Sequence, residues 1–265
     1  YIISYLGVPA FIVTLGFMWI WNGAILLVTG GRTIPANQPG FTYIAQGYLP
    51  AWVGWVVAAI FIAGMFITMF MARQQKRRYG FTPSKLSLDL AKTALFASLI
   101  IMYVYMVNQF NGVQVPVLLM AFVALVMSYL STNTPFGRHA YALGGNKEAA
   151  RLSGINIKRN VFIIFVLMGL LCGVAGIALA SYVGYGTISA GQGYELDAIA
   201  SCILGGTSPL GGVGTIVGAL IGSLIMSSLT NGLQLLNVQP AWQYIVKGAI
   251  LVAAVYVDVY FKKNR

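Results

Sequence analysis

Apolar residues run through this chain in long unbroken stretches separated by short polar punctuation. The stretches cover about 9–29, 51–72, 90–109, 115–131, 160–183 and 242–261. Each is close to the roughly 20 residues that a helix needs to cross a bilayer. They are continuous, not alternating, and about twice the length of a barrel strand, so the pattern predicts membrane-spanning helices. The region 196–231 departs from it. Residues 196–205 rise only about 15 Å as a helix, half a bilayer. Gly205-Gly206-Thr207-Ser208-Pro209-Leu210-Gly211-Gly212 follows and cannot continue a regular helix. Residues 213–231 are again long enough to span. Irregular backbone is tolerated at membrane depth where it is buried in protein or lines a watery cavity. The region is therefore predicted to be a broken or re-entrant helical pair that enters and leaves on the same side. A plain hairpin turning in water also fits, because the turn carries no charge to set its depth. The predicted fold is all-α: a polytopic membrane helical bundle forming one transmembrane domain over 1–265.

Composition supports the same class. Hydrophobic residues make up 58% of the chain and charged residues only 8%, against about 25% charged in soluble domains. No charge occurs between Lys92 and Arg138 or between Asp197 and Lys247, and each gap holds two spans. A soluble enzyme, a disordered chain and a disulfide scaffold are excluded. The basic residues fix an orientation. Arg73, Lys76, Arg77, Arg78 and Lys85 fall in 73–89, and Arg138, Lys147, Arg151, Lys158 and Arg159 in 132–159. With Lys262, Lys263 and Arg265 they make 13 of the 16 basic residues, all on one side if the spans alternate. The positive-inside rule makes that side, and the C-terminus, cytoplasmic. The net charge of +11 thus marks a membrane face and does not suit nucleic acid.

Residues able to do chemistry are sparse. Cys172 and Cys202 lie in apolar segments and His139 in a polar loop, which does not make a zinc site. No metal, cofactor or catalytic residue is predicted, and no phosphate-binding loop is present. Energy for pumping would have to come from another chain. Gly214, Gly218 and Gly222 form one small-residue stripe; Gly169, Gly173 and Gly176 form another. Such stripes let helices approach closely in lipid. Trp19, Trp21, Trp52, Trp55 and Trp242 suit an interfacial belt, and Trp242 also suits a sugar-stacking role. Lys247 can reach the outer headgroups or make a polar contact inside the bundle. Asp258 and Lys262 are spaced as a helix-surface pair. Glu195 and Asp197 suit either the start of a helix or an outer gate or docking contact. Asn231 and Gln234 can line a path for a hydroxylated solute or bond between helices. No span holds the acidic pair expected of an ion-coupled carrier. A secondary carrier or channel for a small polar solute stays as the alternative to an ATP-driven permease.

The longest loop on the basic side, 132–159, contains a short helix with both ends marked. Asn146 is the N-cap after Gly144-Gly145, Glu148 lies in the first turn, and Arg151 in the last turn. Gly154 stands at the C-terminal stop. Ala149 and Ala150 leave a small apolar surface. So short a helix is marginal alone; it either docks on its own span ends or is presented to a partner.

Five ordered motifs carry a resemblance. They are Phe136-Gly137-Arg138, Tyr141-Ala142-x-Gly144-Gly145-Asn146, Ala149-Ala150-Arg151-Leu152-Ser153-Gly154-Ile155-Asn156, Glu195-Leu196-Asp197-Ala198-Ile199-Ala200 and Gly205-Gly206-Thr207-Ser208-x-x-Gly211-Gly212-x-Gly214. Together they resemble the membrane permeases of bacterial monosaccharide ABC importers, of the ribose/xylose/galactose type. Segments 41–50, 112–119 and 240–258 look closest to the xylose branch. The resemblance implies a permease in the inner membrane, paired with a second copy, a cytoplasmic ABC ATPase that holds ATP and Mg, and an extracytoplasmic sugar-binding protein. It makes 146–154 a coupling helix in a groove of the ATPase, and the 205–212 break part of the pathway or its hinge. Permeases of this kind begin with further spans that carry an Ile/Val-Asp-Leu-Ser-Val-Gly-like motif. This sequence has no such segment, so it reads as the C-terminal two-thirds of a permease.

Overall fold

A computed structural model describes residues 1–80 and 86–263 of the chain. Lys85 and Arg265 lie outside the described residues, as do the side chains of Lys262 and Lys263. The expected Asp258–Lys262 pair therefore falls outside what is described.

Eleven helices follow one another among the described residues. They are α1 (Ala10–Thr29), α2 (Pro39–Gln46), α3 (Ala51–Arg78), α4 (Leu86–Asn108), α5 (Val115–Asn133), α6 (Pro135–Gly145), α7 (Lys147–Leu152), α8 (Ile157–Val183), α9 (Tyr194–Leu204), α10 (Ile216–Leu235) and α11 (Pro240–Lys263). Two-residue strands β1 (Ile34–Pro35) and β2 (Tyr185–Gly186) pair antiparallel. Among the described residues α1, α3, α4, α5, α8 and α10 are long and apolar enough to cross a membrane. Helix α11, with 24 residues, reaches about 36 Å and spans by length. The polytopic helical class read from the hydrophobic runs holds.

The main boundary difference is at α3, which continues past residue 72 to Arg78. Arg73, Lys76, Arg77 and Arg78 therefore ride on a helix instead of a loop. Gln74, Gln75, Lys76 and Arg77 are good helix formers, and cations favour a helix C-terminus.

The chain forms two compact units, Asn37–Met120 and Tyr1–Ala36 with Ala121–Arg265. In the first, α3 and α4 make an antiparallel pair. Gly54 on α3 faces Val104 and Asn108 on α4 at one end, and Arg73 is ion-paired to Asp89 at the other. Leu49 N donates to Val113 O and Val115 N to Gly47 O, so the segment after α2 is laced to the one after α4.

In the second unit α1 and α8 are tied at both ends. Ser4 Oγ donates to Lys158 O, and the Tyr5 ring meets Phe162 edge-on. At the other end β1 pairs with β2, and Ala36 N donates to Gly184 O at 2.8 Å. The two helices run parallel, as the charge-based alternation of spans requires. Buried apolar residues are mostly small, among them Ala58, Ala97, Ala150 and Ala200, while large side chains such as Phe11, Phe122, Leu170 and Leu224 face outward. Lipid tails solvate apolar groups about as well as a protein core does, so close packing of small residues replaces a greasy interior. Cys172 is likewise exposed and Cys202 half-buried, so Cys172 does not sit in the protein interior.

Candidate functional site

Three consecutive helices build the site, and their lengths create it. Helix α9 has 11 residues and α10 has 20. They leave the same Gly-rich break side by side, so α9 stops about 13 Å short of the far end of α10. α9 packs on both α10 and α11. Above its N-terminus the missing helical turns leave a cavity of about 1080 Å³ between α10, α11 and the end of α8. It is larger than most small-ligand pockets, about 300–1,000 Å³.

The lining is rich in polar side chains although the helices are apolar. Ser223, Ser227, Thr230, Asn231 and Gln234 come from one face of α10. Tyr194, Asp197 and Ser201 come from α9, and Gln243, Tyr244 and Lys247 from α11. Tyr182, Asn237 and Gln239 complete the wall. At the floor Lys247 Nζ donates to Asp197 Oδ2 at 2.7 Å. The side chains are 16% and 37% exposed, so this pair faces the cavity without being sealed from it. Lys247 takes the inward contact of its two expected alternatives. Asp197 sits in the first turn of α9, where the helix dipole also favours a carboxylate.

The far rim of the cavity is a turn of defined chemistry. Asn237 has φ 52° and ends α10. Val238 N donates to Leu233 O and Asn237 N to Gln234 O, both at 2.9 Å. This is the Schellman arrangement with asparagine tolerated in the left-handed position, and Pro240 then starts α11 without a wasted donor.

The Gly-rich break lies at the opposite end of α9 and α10, against the basic segment. α9 ends at Leu204, and Gly206, φ 85°, turns the chain with Thr207 N bonded to Cys202 O at 2.9 Å. Ser208 N donates to Val213 O at 3.0 Å and closes the loop. Thr215 then caps α10 by accepting from Gly218 N at 3.0 Å. Gly211 and Gly212, φ 92° and 77°, press on the backbone of Gly144 and Gly145 at the end of α6. Tyr141 on α6 donates its hydroxyl to Gly214 O at 2.7 Å. Buried Ser208 donates to Asp258 Oδ2 of α11 at 3.0 Å. The break thus sits one full helix length from the rim of the cavity, as an ordered joint between α6, α9, α10 and α11.

Beyond α6 lies α7, which starts directly after the Asn146 cap and ends two residues before Gly154. Asn146 Oδ1 accepts from Ala149 N at 3.0 Å. Gly154, φ 80°, follows the last turn, with Ile155 N bonded to Ala150 O at 3.1 Å. Ala150 is buried on α6 and α8, whereas Leu152 is 83% exposed. Glu148 and Arg151 form an exposed pair at 3.5 Å. Ala149 is exposed beside them. One face docks on the protein and the other is exposed.

Of the predicted site residues the cavity gathers Asp197, Asn231 and Gln234. The joint gathers Gly205, Gly206, Thr207, Ser208, Gly211 and Gly212, and α7 with its caps gathers Asn146, Glu148, Ala149, Ala150, Arg151 and Gly154. Glu195 and Trp242 are exposed and do not line the cavity; Tyr182, Tyr194 and Tyr244 supply its aromatic surface instead. The missed residues had a signal. Ser223, Ser227 and Thr230 recur at helical spacing with the predicted Asn231 and Gln234 on α10. Among the described residues no His/Cys/Asp/Glu cluster suits a metal ion.

Comparison with known proteins places this architecture. Residues 1–255 match the family model described as the branched-chain amino acid transport system / permease component. The chain is 42% identical over 262 residues to the xylose transport system permease protein XylH of Haemophilus influenzae, covering 99% of this chain and 70% of that protein. Identity to the Escherichia coli K12 protein of the same name is 40% over 262 residues, covering 99% and 67%. The ribose import permease protein RbsC of Escherichia coli K12 is 50% identical over 147 residues, 56% of this chain and 46% of that protein. No solved structure gives a significant match. Seven helices long enough to span, matched nearly end to end by transport permeases, leave one reading: the chain belongs to this family of multi-pass membrane permease components.

Proposed function

We propose that this chain is the permease subunit of an ABC importer that moves a monosaccharide, xylose or another pentose, into the cell. The observation that carries the substrate class is the cavity: hydroxyl, amide and tyrosine side chains converge on it from three helices, with one neutralising ion pair. Such a lining suits an uncharged solute rich in hydroxyls. The names of the relatives support a pentose.

The basic face is cytoplasmic, which puts the C-terminus inside and the cavity mouth outside the inner membrane. Exposed Glu148, Arg151 and Leu152 on α7 fit the surface of a cytoplasmic ATPase that holds ATP and Mg. The chain itself takes no cofactor. An extracytoplasmic sugar-binding protein delivers substrate at the mouth, where Glu195 and Trp242 are exposed for docking. A second permease copy completes the path, and both compact units belong to one permease domain.

Alternating access follows from the joint. A shift of α7 is passed through α6 to Gly144–Gly212 and Tyr141–Gly214, then along α9 to the cavity floor. ATP-bound and ATP-free partners bind the two permease states with different affinity, and that difference supplies the drive. Mild detergent extraction tests the assignment. An ATPase should co-purify at equal stoichiometry, with activity stimulated by sugar-loaded binding protein and lost in Arg151→Glu. Extraction of the permease without an ATPase, or stimulation unchanged in Arg151→Glu, contradicts it.

A further inference from the structure

Resting on that reading, we infer that Asp197 and Lys247 form a subsite for two adjacent hydroxyls of the sugar and set which sugars the permease passes. Asp197 and Lys247 are the only charged residues lining the cavity among the described residues. They come from different helices, α9 and α11, and meet at the floor.

Their hydrogen-bonding capacity is only partly used. Lys247 Nζ carries three N–H groups and spends one on Asp197 Oδ2. Asp197 Oδ1 has no protein partner among the described residues and belongs to a side chain that is 37% exposed. The pair therefore offers one charged acceptor and two charged donors, side by side, to whatever enters. A vicinal diol is the complement. One hydroxyl donates to Asp197 Oδ1, and the oxygen of its neighbour accepts from Lys247 Nζ. Charge-assisted bonds of this kind are about twice as strong as neutral ones. Tyr194 and Tyr244 flank the pair on the same two helices and cover the apolar C–H face of a sugar ring.

The pairing also excludes ions. A carboxylate solute would bring a second anion to Asp197, and a cation a second positive charge to Lys247. Neither gains from a pair already neutralised, whereas a polyol does. Its two halves sit on different helices, and α9 runs directly from the joint.

The test is discrimination among sugars in the complete transporter, reconstituted with ATPase and binding protein. The binding protein is held saturated with each sugar in turn, so that its own preference drops out. ATP-dependent uptake of xylose and of its monodeoxy analogues is then compared at maximal rate. Wild type should pass xylose about tenfold faster than the analogue lacking a hydroxyl read by the pair. In Asp197→Asn and Lys247→Met that ratio should fall towards one. If both neutral variants fail to assemble, Asp197→Glu and Lys247→Arg keep the charges, shift the donor or acceptor, and should change the same ratio. Lower uptake with the wild-type ratio intact in all variants would make the pair structural and overturn the subsite. Absence of ATP-dependent sugar uptake by wild type would instead overturn the function on which it rests.

Discussion

Gly154 and Asn237 are backbone solutions to the same local problem, a helix that must stop and turn. Gly154 sits at φ 80° with its N–H bonded to Arg151 O at 3.0 Å. Alanine there pays roughly 1–2 kcal/mol for the left-handed conformation, and proline can adopt neither the angle nor the bond. Gly154→Ala should therefore weaken ATPase coupling and Gly154→Pro abolish it, while thermal unfolding of the purified permease shifts little. The ATPase activity of reconstituted complexes, read beside the melting curve, checks this. Helix stops of this kind were legible, because glycine after an Asn-capped alanine turn has few other uses. Partner choice was not. Asp258 accepts from Ser208, fifty residues earlier, a contact that local spacing does not announce. Lys247 and Asp197 are equally distant in sequence, and nothing local announces the pair.

Among elements, two glycine stripes with the same spacing behave differently. On α10, a Cβ at Gly218 meets Gly205 O, and one at Gly222 meets Ser201 O on α9. Those atoms are backbone and cannot swing aside. On α8, Gly169, Gly173 and Gly176 have nothing within 4 Å. Gly222→Ala should cost about 3 kcal/mol or more through overpacking and broaden the size-exclusion peak. Gly173→Ala should leave the permease monodisperse and raise its melting temperature slightly, since alanine favours a helix by up to about 1 kcal/mol over glycine. The sequence pattern alone treats these stripes alike, because it reports which residues share a face and not what that face meets. The short α9 was legible as half a span. Its consequence, a cavity above its N-terminus, emerged only once α10 was seen to run its full length from the same joint.

For the whole molecule the account makes one topological demand. In the proposed orientation α7 and the joint lie on the cytoplasmic face, and the 237–239 turn on the outer face. In a variant with Cys172 and Cys202 replaced by alanine, a single cysteine at Glu148 should react with membrane-impermeant maleimide only in inverted vesicles. One at Gln239 should react only in intact cells. The reverse pattern would invert the proposed direction of transport. The proposed orientation rests on the 13 of 16 basic residues that fall on one side if the spans alternate; the parallel run of α1 and α8, fixed by β1–β2 pairing, is consistent with that alternation.

The most direct measurement is uptake of radiolabelled xylose into proteoliposomes that contain the permease, its ATPase and its binding protein. The predicted result is accumulation that requires ATP on the α7 side, requires the binding protein on the other, and stops when Arg151→Glu replaces the wild type. Equal flux without ATP or ATPase would contradict the account and identify a channel or secondary carrier.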